Sequence, residues 1–169
     1  PADLYFHVEN DAEGRIWLHT IFSDDFELYV FDGINSRQIL YNGERLKNIS
    51  DIAFDKQNHL WVVDGYGNVG EFTGLTGTYL KEITDPELNR ESKCSGGEIY
   101  IDDRERIWLW GGEQISMFEN GTCVTLTFEN SGLVGDYSIY DMVVDNLDRA
   151  WILSDRAIHM IPVKDIQTL

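Results

Sequence analysis

The chain has 169 residues, of which 43% are hydrophobic and 12% aromatic, so it can bury a sizeable core and is not a disordered segment. Its 13 lysines and arginines against 30 aspartates and glutamates give a net charge of −17, a field that repels phosphate backbones, so we expect no nucleic-acid partner. No run approaches the roughly 20 apolar residues of a membrane span, and no basic start with an apolar run marks a signal peptide, so we expect no direct membrane insertion of this segment.

Short β-strands separated by turns are predicted along the whole chain. They cover residues 6–8, 16–18, 28–31 and 38–41, then 52–54, 60–63, 69–72 and 78–83, then 98–101, 107–110, 114–118 and 122–128, and finally 142–144, 151–153 and 158–161. Asn120-Gly121 predicts a tight hairpin turn, because both central residues of such a turn need a positive φ. No segment has a sustained 3.6-residue apolar period, so helix should be nearly absent, and only residues 85–90 could form a turn or two.

The same pattern of residues returns four times, at intervals of roughly 45 residues. Each copy carries a tryptophan, namely Trp17, Trp61, Trp108 and Trp151. Six positions before it stands an aspartate, namely Asp11, Asp55, Asp102 and Asp145. Two positions before it stands a basic or imidazole side chain, namely Arg15, His59, Arg106 and Arg149. Agreement in several columns at one period predicts a repeat protein.

Four short antiparallel strands per repeat predict the blades of an all-β propeller. The repeats cover approximately residues 1–44, 45–94, 95–137 and 138–169, and the last is incomplete. The tryptophan falls on the second strand, where its ring can wedge between blades and its indole N–H can find a carbonyl. The aspartate can close the following turn by accepting backbone N–H groups. Polar or φ-permissive chemistry is useful at the turn position three residues before the tryptophan, which is occupied by Gly14, Asn58, Glu105 and Asp148.

These residues resemble the two-component regulator propeller repeat. Residues 131–151, from Ser131-Gly132-Leu133 to Trp151, match its pattern best, and residues 11–20 are the next best match. Only Thr20 keeps the threonine that follows the tryptophan in that pattern, and the Gly-Leu pair is mostly lost. The resemblance implies a sensing or binding module in the periplasmic or extracellular region of a bacterial two-component system, and such modules are often tied to glycan sensing. It implies no catalytic residue.

Four blades are few for this repeat type, since propellers close with four to eight blades. We therefore expect the chain to be part of a larger propeller, with further blades supplied by the same or another chain. A closed four-bladed ring remains the alternative. The larger propeller is favoured because, in an open row of four blades, the unpaired faces of the end blades would expose apolar surface and strand edges.

Neither the aspartates nor the cysteines indicate a metal or a cofactor. One aspartate per blade lies far from the next, and no copy has the dense acidic loop of a calcium site, so we expect no metal ligands and no cofactor. Cys94 and Cys123 fit no zinc motif. They are placed at opposite ends of one blade, so both are expected to be free thiols.

In a propeller, the loops between second and third strands share one face with the loops between blades. On this chain those loops carry aromatic rings with nearby carboxylates and one guanidinium. The candidate ligand-binding residues are Phe22, Asp64, Tyr66, Trp110, Glu113, Tyr137 and Arg156. Ring faces stack on apolar C–H surface while carboxylates accept hydroxyl protons, a combination that suits a small molecule or a neutral oligosaccharide.

Two functions from different classes follow from the sequence. The first is a non-catalytic module that senses a ligand or binds another protein. The alternative is a propeller enzyme such as a lyase acting on a saccharide or lactone, because one fold hosts many functions. Such an enzyme would need clustered acid–base residues around the axis.

Overall fold

The computed structural model describes residues 5–22, 25–41, 43–46, 49–67, 69–73, 78–82, 96–127, 131 and 138–166. The chain divides into two compact units, Pro1–Thr84 and Asp85–Leu169.

Unit 1 contains two four-stranded antiparallel sheets and a small hairpin between them. The first sheet consists of β1 (Tyr5–Asn10), β2 (Ile16–Phe22), β3 (Asp25–Phe31) and β4 (Ser36–Gln38). The hairpin pairs β5 (Leu40–Tyr41) with β6 (Glu44–Arg45). The second sheet consists of β7 (Ile49–Phe54), β8 (Leu60–Asp64), β9 (Val69–Thr73) and β10 (Thr78–Glu82).

Unit 2 contains a four-stranded and a three-stranded antiparallel sheet. The former consists of β11 (Glu98–Ile101), β12 (Ile107–Gly111), β13 (Gln114–Glu119) and β14 (Thr122–Thr127). The latter consists of β15 (Ile139–Val144), β16 (Arg149–Ser154) and β17 (Ile158–Pro162), followed by the helical turn α1 (Val163–Ile166). Each sheet follows chain order, so the predicted propeller blades are confirmed, with all four repeated tryptophans on second strands.

The fourth strand of the first blade begins and ends earlier than predicted. The expected strand at 38–41 is divided, because Ser36–Gln38 pairs with β3 whereas Leu40–Tyr41 turns back on β6. Gly43, at φ 82°, forms the turn of that hairpin, and a glycine reaches this conformation without steric cost. The possible helix at 85–90 lies outside the described residues. Within the described ranges no helix is long and apolar enough to cross a membrane.

The turn before each second strand has the predicted left-handed residue. Gly14, Asn58, Glu105 and Asp148 have φ values of 76°, 64°, 65° and 62°. The hairpin turn at Asn120 and Gly121, with φ values of 51° and 80°, is confirmed as well. In unit 1 the turn also links two blades, because the Asn58 side chain accepts the backbone N–H of Ala12 at 2.7 Å.

Each blade is organised around its repeated aspartate. The indole N–H of the tryptophan donates to Oδ2 of that aspartate: Trp17 to Asp11 at 2.8 Å, Trp61 to Asp55 at 3.0 Å, Trp108 to Asp102 at 2.9 Å and Trp151 to Asp145 at 2.9 Å. The expectation of a carbonyl acceptor was therefore wrong. A carboxylate at the end of the preceding strand is within reach and is a stronger acceptor than a neutral carbonyl.

The other oxygen of the aspartate closes the turn, as predicted. Oδ1 accepts the backbone N–H four residues later: Arg15 at 2.9 Å, His59 at 2.8 Å, Arg106 at 3.1 Å and Arg149 at 3.1 Å. In three blades the N–H two residues later donates as well. The arginine of the repeat adds its Nε–H to Oδ2, as Arg106 does to Asp102 at 2.6 Å.

These contacts change the pKa values of the ionisable groups. Burial alone would raise the pKa of Asp11, but hydrogen bonds from the Trp17 indole and Arg15 more than offset it and hold that pKa below its usual value. The hydrogen bonds from Arg149 and Trp151 lower the pKa of Asp145 strongly. Burial would lower the pKa of Arg106, yet hydrogen bonds to Asp148 and Asp102 raise it. The ionised form of each group is therefore the one that the blade stabilises.

The core of each unit lies where one sheet packs on the next. In unit 1, Trp17 packs among Leu28, Ile52 and Phe72, and its ring centroid lies 5.2 Å from that of Phe54. In unit 2, Trp108 packs in one buried cluster with residues of the following sheet, among them Met142 and Ile152. α1 adds to this cluster through Val163 and Ile166.

The expectation about the cysteines was wrong. Cys123 was expected to be a free thiol, but it is disulfide-bonded. The chain's one other cysteine, Cys94, lies outside the described residues. β11 begins at Glu98, four residues after Cys94. Because four extended residues span up to about 13 Å, the position of β11 did not determine the position of Cys94.

The two tryptophans of β12 give a matched test of the aspartate hydrogen bond. Both rings are buried, but Trp108 donates to Asp102, whereas the indole nitrogen of Trp110 has no hydrogen-bond partner among the described residues. We expect Trp108→Phe to lower the free energy of unfolding by about 1–2 kcal/mol more than Trp110→Phe does, because it removes a donor from a buried carboxylate. Urea denaturation of both variants measures the difference, and equal losses would contradict the structural role of this bond.

Candidate functional site

In unit 2, two turns between second and third strands meet a segment between blades at one end of the sheets. In unit 2 the backbone N–H of Ile139 donates to the carbonyl of Gly112 at 3.1 Å, and that of Asp155 donates to Ser138 at 3.3 Å. These contacts join the β12–β13 turn, the segment before β15 and the β16–β17 turn. A ligand at this end of unit 2 would therefore meet residues from more than one blade.

The predicted site residues on these loops are partly exposed and partly not. Tyr66 is 79% exposed, and its backbone N–H is held by the Asp64 carboxylate at 2.8 Å, so the β8–β9 turn presents its ring to solvent. Glu113 and Arg156 are exposed at the corresponding turns of unit 2. The side chain of Phe22 and the whole of Tyr137 lie outside the described residues.

Trp110 differs from the expectation of a ring that stacks on a ligand. It is only 6% exposed and belongs to the core of unit 2 with Ile115 and Met142. β12 is buried on both faces along most of its length, so side-chain alternation does not bring Trp110 to the surface. The backbone of this residue is also closely approached, because an added Cβ on Gly96 would lie 2.5 Å from the Trp110 backbone nitrogen.

A second group of residues, which the sequence reasoning missed, lies on the first strand of each blade. In each blade, the second residue after the repeated tryptophan pairs with a residue of the first strand. That first-strand residue is ionisable in all four blades: His7, Asp51, Glu98 and Asp141. Each stands four positions before the repeated aspartate, so the signal was present in the sequence as one more column of the repeat. It was overlooked because the residue types differ from copy to copy.

In unit 1 this column forms an imidazole–carboxylate pair. His7 Nδ1 lies 3.0 Å from Oδ1 of Asp51, and its Nε2 lies 3.2 Å from Glu9. Asp51 is almost fully buried, whereas His7 is half-exposed. Such a pair can exchange a proton or accept hydrogen bonds from a hydroxyl group.

His19 is the cross-strand partner of His7 and is fully buried. Its Nε2 lies 2.8 Å from the carbonyl of Ile49, so it donates there when the proton is on Nε2. Burial lowers the pKa of His19, and the nearby His7 lowers it further against the raising effect of the Ile49 carbonyl. The neutral imidazole is the form that the folded blade holds.

A pH dependence of stability follows from His19. A histidine whose pKa is lowered by folding contributes stability that is present above its unfolded pKa of about 6.5 and is lost as the pH falls toward the folded value. We expect the urea midpoint to fall between pH 7.5 and pH 5.5, and to fall less in His19→Gln, which can still donate to the Ile49 carbonyl. An identical pH dependence in both proteins would show that His19 is not the responsible group.

A comparison with known protein families finds no match, and neither does a comparison with curated proteins. Solved structures do resemble the chain. The extracellular domain of BT3049 from B. thetaiotaomicron, described as a hybrid two component system, matches with a TM-score of 0.69 and 17% identity over 96% of this chain and 22% of that one. The extracellular domain of BT4673 from B. thetaiotaomicron, described in the same way, matches with a TM-score of 0.63 and 17% identity over 95% of this chain and 23% of that one.

A structure of YCF48 bound to D1 peptide matches with a TM-score of 0.63 and 13% identity, over 91% of this chain and 48% of that one. The chain therefore spans about a fifth to a half of the length of these proteins. At such low identity the likeness establishes the fold alone, which the chain shares with these two extracellular domains and with YCF48. The predicted resemblance is confirmed at this level.

Proposed function

We propose that this chain is part of a larger propeller that serves as the periplasmic or extracellular sensor region of a bacterial two-component system and binds a ligand or another protein. The observation that carries the proposal is the likeness in fold to two extracellular domains described as belonging to such systems. The repeat pattern of the sequence points in the same direction. Both are independent of any one loop residue.

The uncovered face of the last sheet supports the larger propeller. In unit 1 the Trp17 ring is 2% exposed, because side chains of the following sheet pack on it. The equivalent Trp151 is 36% exposed, and its cross-strand neighbours Val143 and Met160 are exposed too. An apolar patch of this kind is covered in a finished propeller by the next blade, supplied by the same or another chain.

The repeated polar residues support a binding role over a catalytic one. Asp102, Arg106 and Trp108 satisfy one another within their blade, and the same arrangement holds for Asp145, Arg149 and Trp151. Groups engaged in this way hold the blade together and are not directed at a substrate. Recognition then falls to the turns between second and third strands, where Tyr66 is exposed in unit 1 and Glu113 and Arg156 are exposed in unit 2.

The chemistry of these turns favours a neutral, hydroxyl-rich ligand such as an oligosaccharide. An exposed ring offers a stacking surface for apolar C–H groups, and carboxylates accept hydrogen bonds from hydroxyls. The net charge of −17 disfavours an acidic polysaccharide.

Titration of neutral and acidic oligosaccharides by calorimetry tests this proposal. We expect Tyr66→Ala to weaken binding of a neutral sugar by about tenfold, which corresponds to the loss of one stacking ring. Ile34→Ala is the matched control, because Ile34 is an equally exposed apolar residue on the β3–β4 turn, at the opposite end of a blade. Tight binding of an acidic sugar, or neutral-sugar binding that Tyr66→Ala leaves unchanged, would contradict the assignment of this face.

A further inference from the structure

The second blade departs from the other three at two neighbouring positions. Two residues before the tryptophan, the other blades have Arg15, Arg106 and Arg149, whereas this blade has His59. Opposite the tryptophan on the third strand, the other blades have Val30, Met117 and Met160, whereas this blade has Glu71. A cation is thus replaced by an imidazole, and an apolar side chain by a carboxylate, within one blade.

These two replacements meet at the repeated aspartate. His59 Nδ1 lies 2.8 Å from Oε1 of Glu71 and 3.2 Å from Oδ2 of Asp55. The ligand atoms of all three side chains lie within 4.8 Å of one another. The Glu71 side chain is only 16% exposed and that of Asp55 7%, so the group is a partly buried cluster and not a patch of solvated charge.

The charge balance of this cluster differs from that of the other blades. In each of the other blades the repeated aspartate pairs with a guanidinium, which is always charged. Here, two carboxylates face an imidazole, which carries no obligatory charge. A divalent cation would neutralise both carboxylates, and it would occupy the side of Oδ2 to which the arginine binds in the other blades.

We propose that Asp55, His59 and Glu71 form a zinc site in the second blade. Zinc binds imidazole nitrogen and carboxylate oxygen at about 2.0–2.2 Å, and in a tetrahedral site its ligand atoms lie about 3.3 Å apart. The separations of 2.8 and 3.2 Å from Nδ1 are slightly shorter than this, and the two carboxylate oxygens lie within 4.8 Å of each other. His59 binds through Nδ1 as the neutral ring, with its proton on Nε2, and water completes the coordination.

The surrounding groups already orient the first ligand. Oδ1 of Asp55 accepts the backbone N–H of His59 at 2.8 Å, and Oδ2 accepts the Trp61 indole at 3.0 Å. Oδ2 keeps a second lone pair, which points to the place where an arginine Nε donates in the other blades. Hydrogen bonds of this kind fix a ligating carboxylate and increase metal affinity. Magnesium is disfavoured because it prefers an octahedral set of oxygen ligands.

The other blades supply matched control variants. His59→Arg restores the residue of the other three blades at that position, and Glu71→Met restores the residue found at the same register in two of them. Both variants are expected to fold, because these side chains already occupy the same place in this chain. After removal of metal with a chelator, calorimetry with zinc should show one binding site more in the wild type than in either variant. Zinc should also raise the thermal midpoint of the wild type by about 5 °C, and magnesium should not.

An equal zinc stoichiometry in the wild type and in both variants would overturn the proposal, whether all of them bind zinc or none does. Cobalt provides a second measurement that needs no variant. Titration of the wild type with Co²⁺ should produce the visible absorption of a tetrahedral or five-coordinate site, and zinc should abolish it. Only the weak spectrum of hexahydrated cobalt would also overturn the proposal.

Discussion

Each blade depends on one carboxylate that is bonded from three sides. The repeated aspartate accepts the tryptophan indole on one oxygen and the backbone of its own turn on the other. The first of these oxygens also faces an arginine guanidinium in three blades and the His59 imidazole in the second blade. In the third blade this group is almost completely buried, and Arg106 reaches on to Asp148 of the next blade. A buried charge is tolerated only when it is paired and hydrogen-bonded. Removal of one residue of this network therefore leaves a buried charged group without its partner, which destabilises the fold. The network therefore fixes the tryptophan ring, and the ring in turn fixes how the next sheet packs.

This dependence explains why the fold could be predicted from the sequence. Tryptophan, aspartate and a basic residue at fixed spacing are the parts of one hydrogen-bonded unit, so their period marks the blades directly. The left-handed turn residues were predictable for the same reason, since Gly14 and Asn58 tolerate a positive φ better than most residues do. The left-handed conformation of Glu105 could be predicted only because Glu105 occupies the same position in its repeat as Gly14 and Asn58 do in theirs.

What could not be predicted depends on packing between elements. Alternation along β12 places Trp110 and Trp108 on the same face, but it does not show that the core of unit 2 extends to the loop end of this strand. The disulfide of Cys123 depends on a long connection whose path strand positions do not define. The pair of His7 and Asp51 joins two first strands, and its residue types vary between blades, so no single-copy motif reveals it.

The repeated and the non-repeated polar residues have different surroundings. Polar residues that recur in every blade are engaged inside it, as Asp102 and Asp145 are. The polar residues that depart from the repeat, such as His59 and Glu71 of the second blade, are the ones that we propose to bind an ion.

The most direct test of this account is the free energy of unfolding of Asp102→Asn compared with that of Asp103→Asn. The two substitutions remove the same charge from adjacent residues, but Asp102 is buried with Arg106 and Trp108, whereas Asp103 is exposed. Breaking a buried, hydrogen-bonded charge pair costs about 3–5 kcal/mol, and a surface substitution changes stability by about 0.5 kcal/mol or less. The account predicts a loss in the first range for Asp102→Asn and in the second for Asp103→Asn. A loss below about 1 kcal/mol for Asp102→Asn would contradict the claim that the blade depends on this carboxylate.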